Sequence, residues 1–342
     1  MTLTILSVSY AFAPVTADPA GGSEQVLSAL DQALTAAGHR SIVVAPEGSS
    51  VTGDLLTIPT PDGPIEGEVW EHTHAAVRAR VAQAIERHGP DLVHLHGFDF
   101  GSYLPTPGPP VLVTFHLPLA WYTPEWLVPG RPRTYLQPVS ASQASLAAPG
   151  VRLLDPIPNG VDLDRYYPGR RGDRALVLGR IAPEKGFHDA LDAAARAGVP
   201  LDVAGKVFPY PDHERYFAEQ VAPRLDADRR YLGPVGGEAK AALLRAARCV
   251  LIPSTAAETS SLVAMEALAS GTPVIAYRSG ALPDIVEDGL TGFIVDDVAA
   301  MAAAIRRIDA LDPLKCRQAA EMRFPLTHTI AAYFDLYHRL SA

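Results

Sequence analysis

Residues 253–276 read PSTAAETSSLVAMEALASGTPVIA. Two carboxylates, Glu258 and Glu266, bracket a short apolar run that ends in a Gly-Thr-Pro turn and a strand-like segment. Glu258 follows a small-residue loop of the kind that precedes a helix N-terminus. Glu266 stands among Met265, Ala267, Leu268 and Ala269, and a carboxylate in such company needs a partner or a function, because burying it alone is costly. A helix starting near Ser261 would present free backbone N–H groups able to hold a diphosphate. Ser260 or Ser261 merely capping that helix is the competing reading. Glu266, one or two turns in, would then offer an acceptor to paired hydroxyls such as those of a ribose. Glu258 would receive hydrogen bonds from sugar hydroxyls, and neither role requires a metal. Their spacing does not by itself make them a general acid/base pair.

Strands are expected on both sides of this segment, at residues 250–252, 274–277 and 293–295. Upstream, residues 175–178 and 201–204 are strand-like, with helices near 187–197 and 240–247. Helices near 298–308 and 326–340 finish the chain. The first half has the same rhythm, with strands at 3–8, 41–45, 92–95 and 111–115. Its helices fall near 24–37 and 75–87, the former carrying Val26, Leu27, Leu30 and Leu34 at three- and four-residue spacing. The Pro/Gly-rich stretch between residues 45 and 75 reads as irregular. Buried strands alternating with covering helices indicate parallel sheets layered between helices. PIPNGVDLDRYYPG, residues 156–169, interrupts the pattern and marks a linker. The expected fold class is therefore α/β, with two Rossmann-like domains facing across a deep cleft, the first over 1–158 and the second over 159–320. A ligand is expected where carboxyl ends of the strands open onto that cleft.

A chain of 342 residues exceeds the usual size of one hydrophobic core, and 48% apolar residues supply two. The formal charge of −9 argues against a general nucleic-acid or anionic-membrane binder, while leaving room for a local basic pocket. Cys249 and Cys316 are far apart and lack metal-ligand company, which fits a reducing compartment. MTLTILSVSYAF has no basic leader and no small-residue cleavage pattern, and reads as a buried first strand. No apolar run approaches the roughly 18 residues of a membrane span. A cytoplasmic monomer or homodimer is expected, with peripheral contact at the inner membrane surface left open.

Gly179-Arg180 and Lys185-Gly186, in LGRIAPEKGFHDA, follow an expected strand and precede a helix. Arg can fork onto phosphate oxygens and Lys can add a mobile point charge; a solvated surface pair is the competing reading. His94 and His96, in HLHG, superficially suggest metal ligands, but no third ligand motif accompanies them, and a packing or acceptor-side role is favoured. The absence of GxGxxG argues against a standard dinucleotide enzyme.

PIPNGVDLDRY, GRIAPEKG, YLGPV, the 253–276 segment and EDGLTGFIV, in that order over residues 156–296, resemble the retaining GT-B glycosyltransferases of family 4 (glycosyl transferases group 1). GGSE and the central histidines extend the likeness into the first half. The resemblance implies transfer of a sugar from a nucleoside-diphosphate sugar to a hydroxyl of a saccharide, glycolipid precursor or small metabolite. It also implies retained anomeric configuration and no tightly bound metal or other cofactor. Arg180 and Lys185 match the pair that neutralises the diphosphate, Glu266 the ribose-binding glutamate and Glu258 the glutamate on the transferred sugar. Amides near Ser261, Leu262 and Val263 match those that meet phosphate or sugar oxygens. Gly22 matches the glycine loop close to the diphosphate, and His116, in VTFHLP, the histidine beside the donor sugar. The catalytic set so implied is Arg180, Lys185, His116 and Glu258, working by front-face, substrate-assisted transfer.

Acceptor recognition is expected in the first domain, around Gly21, Glu24, Asp99, Tyr103, Trp121 and Tyr122. The last segment, 321–342, is expected to cross back onto that domain. Two departures stand out: Thr259-Ser260-Ser261 replaces the aromatic-glycine pair of many relatives, and Asp284 replaces a frequent Glu. An inactive nucleotide-sugar-binding or regulatory protein of the same fold is the alternative function.

Overall fold

Strands that read as unbroken apolar runs occupy the middle of a sheet, because only there are both faces covered. The computed structural model, which describes residues 2–16, 21–60 and 65–342, has two such sheets. The first contains β1 (Thr4–Val8), β2 (Arg40–Pro46), β3 (Asp54–Ile58), β4 (Leu92–Leu95), β5 (Val111–Phe115) and β6 (Thr134–Pro138). The second contains β7 (Ala175–Leu178), β8 (Leu201–Ala204), β9 (Arg229–Gly233), β10 (Val250–Ile252), β11 (Val274–Tyr277) and β12 (Gly292–Val295). Every pairing is parallel. The orders, β3-β2-β1-β4-β5-β6 and β12-β11-β10-β7-β8-β9, are the same permutation. In each sheet the winding reverses between the first and fourth strands, β1/β4 and β7/β10, and loops leaving that switch point are where open α/β sheets bind ligands.

The chain divides into two units, Met1–Pro158 with Thr329–Ala342, and Asn159–His328. In the first, helix Gly22–Ala36 buries Val26, Leu27, Leu30 and Leu34. The final helix, Leu326–Ser341, places Tyr333, Leu336 and Tyr337 in the same cluster as Leu3, Ile5 and Leu34. In the second, helix Phe187–Ala197 turns Phe187, Ala190, Leu191 and Ala194 onto the sheet.

Three strands, half a helix, helix Pro313–Arg323 and the shorter helices Ala141–Ser145 and Pro211–Tyr216 go beyond the sequence expectation. β3 and the helix Gly67–His88 occupy much of the stretch expected to be irregular, of which residues 61–64 lie outside the described residues. β3, β6 and β9 are all edge strands, and their sequences DLLTI, TYLQP and RRYLG carry polar residues that an edge tolerates and a central strand does not. Helix 67–88 buries Thr73 and His74 ahead of Val77, Val81 and Ala84, so its apolar periodicity becomes visible only in its second half.

One side chain ties the segment after the inter-unit chain crossing to the helix of the second unit. Arg317, on helix Pro313–Arg323, donates through Nη1 to the carbonyls of Leu163 (3.1 Å), Tyr166 (2.5 Å) and Ala269 (3.0 Å), and through Nε to Glu321 (2.7 Å). Replacing Arg317 with Ala strips three carbonyls of a charged donor. Chemical denaturation should show a loss of about 2–4 kcal/mol, hydrogen bonds to charged groups contributing about 1.5–3 kcal/mol each before relaxation. Unchanged stability would show the clamp to be incidental.

Candidate functional site

In the second unit, loops after β7, β10 and β11 converge on Glu258. Adjacency of β7 and β10 brings residues 179–186 beside residues 253–261, and backbone contacts lock them. The Thr255 amide donates to the Glu184 carbonyl at 2.9 Å, and a Cβ on Gly186 would lie 2.2 Å from the Pro253 carbonyl oxygen. From the β11 side, the Ala281 amide donates to the Glu258 carbonyl at 2.7 Å, and Ser279 Oγ to that of Ala256 at 2.6 Å. Gly280 has φ +54, and a Cβ there would fall 2.1 Å from the Glu258 carbonyl oxygen, so only glycine fits.

The expected cations meet carboxylates. Arg180 Nη2 donates to Glu184 Oε1 at 2.7 Å. Lys185 Nζ donates to Glu258 Oε1 at 2.6 Å, and Ser254 Oγ donates to the same oxygen at 2.5 Å. These ion pairs are part-exposed, and each cation keeps further N–H donors, since guanidinium has five and ammonium three. Ser261 is the N-cap of helix Leu262–Ala269, its Oγ accepting from the Ala264 amide at 3.3 Å. Capping and anion binding are compatible here. The cap takes the third amide, while those of Leu262 and Val263 sit at the same open end, beyond the reach of intrahelical partners.

Glu266 lies on that helix, 1% exposed. Its Oε1 accepts from Lys240 Nζ at 2.6 Å and from the Tyr166 hydroxyl at 2.9 Å, while Oε2 is buried without a partner among the described residues. Sequence reasoning missed Lys240, Tyr166, Glu184 and Ser254. The signal for Lys240 was available: a lysine inside the apolar helix Gly237–Ala246 implies a buried counter-charge. Asp284 is exposed, and its backbone carbonyl accepts from Arg323.

In the first unit, the carboxyl edge carries histidines. His94 bonds Tyr337 Oη through Nδ1 and Thr114 Oγ1 through Nε2, both at 2.8 Å, and is a packing residue that anchors the final helix. His96 Nδ1 meets His116 Nε2 at 3.1 Å. Burial lowers the pKa of His116 to about 4 and holds His94 and His96 well below the ordinary value, so all three are neutral at neutral pH. Among the described residues, no group of three or more His, Cys, Asp or Glu is placed to hold a metal ion.

The expected acceptor-side residues separate. Asp99 and Tyr103 are buried and bonded to each other at 2.7 Å, and Asp99 also meets His74 Nε2 at 2.7 Å; packing accounts for both. Tyr122 is buried, its hydroxyl accepting from the His116 amide at 3.1 Å, whereas Trp121 is exposed. Gly21 is the N-cap of helix 22–36, Gly22 its first residue, and Glu24 an acid in its first turn, where the helix dipole favours negative charge.

Both halves match known families. The profile described as Glycosyltransferase Family 4 covers residues 20–165, and that described as Glycosyl transferases group 1 covers residues 172–309. The chain belongs to glycosyltransferase family 4. It is a nucleotide-sugar-dependent glycosyltransferase with the two Rossmann-like units of the GT-B fold. It is 28% identical to the glycogen synthase of Mycobacterium tuberculosis (strain CDC 1551 / Oshkosh), over 90% of this chain and 86% of that protein. Two solved structures share the fold. Sucrose-phosphate synthase from Thermosynechococcus elongatus superposes with TM-score 0.78, 21% identity, and 98% and 99% of the two chains. Anabaena HepE in complex with UDP and glucose superposes with TM-score 0.76, 20% identity and the same coverage. Among the described residues, no helix is long and apolar enough to cross a membrane.

Two measurements check this geometry. Gly280→Ala forces a left-handed alanine against the Glu258 backbone and should cost about 1–3 kcal/mol in denaturant; a neutral substitution would mean the loops are not locked. For the histidines, the unfolded side chain takes up a proton near pH 6.5 while folded His116 does so only near pH 4. Stability should therefore fall as pH drops from 6.5 towards 4, by about 1.4 kcal/mol per pH unit for each such group. His116→Gln should remove one proton from that slope, and an unchanged slope would show His116 to be already charged.

Proposed function

We propose that the carboxyl edge of the second sheet binds the nucleoside-diphosphate part of the donor, and that transfer retains the anomeric configuration. The observation that carries this reading is Glu266 Oε2, a buried carboxylate oxygen with no partner among the described residues, on the helix that Ser261 caps. A ribose hydroxyl supplies the missing donor, which places the phosphates near the amides of Leu262 and Val263 and the cations Arg180 and Lys185. Breaking the sugar–phosphate bond develops negative charge on the departing diphosphate, and donors already fixed in place stabilise it without reorganising.

Lys185 and Ser254 both draw on Oε1 of Glu258, which suits that carboxylate to holding sugar hydroxyls through its other oxygen rather than to attacking carbon. A leaving phosphate oxygen then takes the acceptor proton on the same face, and configuration is retained. His116, neutral through burial, serves as a hydrogen-bonding group rather than a cation. The acceptor is a hydroxyl of a saccharide, glycolipid precursor or small metabolite.

A panel of UDP-, GDP- and ADP-sugars against cell extracts, read by mass spectrometry, identifies the pair, and NMR of the product reports the anomer. Arg180→Ala should lower kcat/KM by about 10²–10³-fold, as removal of a single transition-state donor does. Wild-type kinetics in that variant, or an inverted product, would overturn the reading. Donor binding with neither hydrolysis nor transfer across a broad acceptor set would make the protein a nucleotide-sugar binder.

A further inference from the structure

Lys240 is 8% exposed on helix Gly237–Ala246, a position where an ammonium is costly unless it is paired. Its pairing is asymmetric. Lys240 Nζ at 2.6 Å and the Tyr166 hydroxyl at 2.9 Å both fall on Oε1 of Glu266, and the Tyr166 ring lies 5.8 Å from Nζ. Oε2 is buried and has no partner among the described residues. Two donors on one oxygen fix the plane and direction of the carboxylate, and the ammonium supplies the counter-charge that a buried carboxylate needs. The outcome is a buried, charged acceptor pointing one way.

We propose that Lys240, assisted by Tyr166, is a positioning residue for the donor: it holds Glu266 turned so that Oε2 accepts from the ribose hydroxyls, and so makes the site select ribonucleotides over 2′-deoxyribonucleotides. This rests on the donor reading above and assigns its selectivity to a pair of residues that never touch the ligand. A charge-assisted hydrogen bond to a hydroxyl is roughly twice as strong as one to a neutral acid. Loss of the ammonium therefore weakens recognition of the hydroxyl more than it weakens recognition of the phosphates.

The test is calorimetric titration of UDP, GDP and ADP, each against its 2′-deoxy counterpart, on the full chain. The wild type should bind at least one ribonucleotide about tenfold or more tightly than the deoxy form, the value of a hydrogen bond to a charged group. In Lys240→Met the ratio should fall below about threefold. The side chains meeting the carboxylate are Lys240 and Tyr166, and Arg317 reaches only the carbonyl at the end of the same helix. In Glu266→Gln the ratio should be low, and adding Lys240→Met should change it no further.

A wild-type ratio in Lys240→Met overturns the proposal, as does a further fall when Lys240→Met is added to Glu266→Gln. Should Lys240→Met fail to fold, Tyr166→Phe removes one of the two bonds to Oε1 without removing a charge, and an unaltered ratio there overturns it equally. Binding of none of the three ribonucleotides to the wild type overturns the donor reading itself.

Discussion

Everything at the candidate site follows from β7 and β10 being neighbours. Their adjacency is the point at which the sheet changes winding direction, and it forces two loops far apart in sequence to leave the sheet side by side. The Thr255 amide on the Glu184 carbonyl and the tight approach of Gly186 to Pro253 convert that topological necessity into a rigid joint. Glu258, the helix starting at Leu262 and both cations inherit their positions from it. The loop after β11 adds a third anchor through Gly280 and Ala281.

Each charge set on this joint has an internal counterpart: Arg180 with Glu184, Lys185 with Glu258, and Lys240 with Glu266. Such pairing is what permits charges to be held close together at a partly buried edge. It differs from a bare cationic pocket in one respect. The carboxylates fix the directions of the cations in advance, at the expense of a weaker net positive charge at this edge.

The sequence made the central strands legible because burial on both faces imposes an apolar run, and β4, β5, β7, β8, β10 and β11 lie where those runs are. It hid β3, β6 and β9 because an edge strand answers to one covered face, and its composition then resembles a loop. The same division holds at the site. Arg180, Lys185, Glu258 and Glu266 stand out locally as charges beside strand ends or within apolar runs. Their partners do not: Lys185 and Glu258 are 73 residues apart, and Lys240 and Glu266 are 26 apart. A pairing at that distance is a property of the fold, visible only once the strands are ordered. Asp99 and Tyr103 show the converse, since polar residues in an apparent loop proved to satisfy one another in the core.

The two units share one strand order and use it with opposite electrostatics. At the edge of the second sheet, ion pairs hold charges ready. At the edge of the first, burial strips charge from His94, His96 and His116, and the rings meet one another and Thr114 as neutral partners. Neutral imidazoles donate and accept hydrogen bonds without carrying a net charge, so this edge is polar but uncharged. Tyr337 and Tyr333 from the final helix reach His94 and Thr114 in that array. The last helix is thereby part of the electrostatic design of the first unit and not only a cover for its sheet, because removing either hydroxyl would leave a buried ring nitrogen or hydroxyl short of a partner.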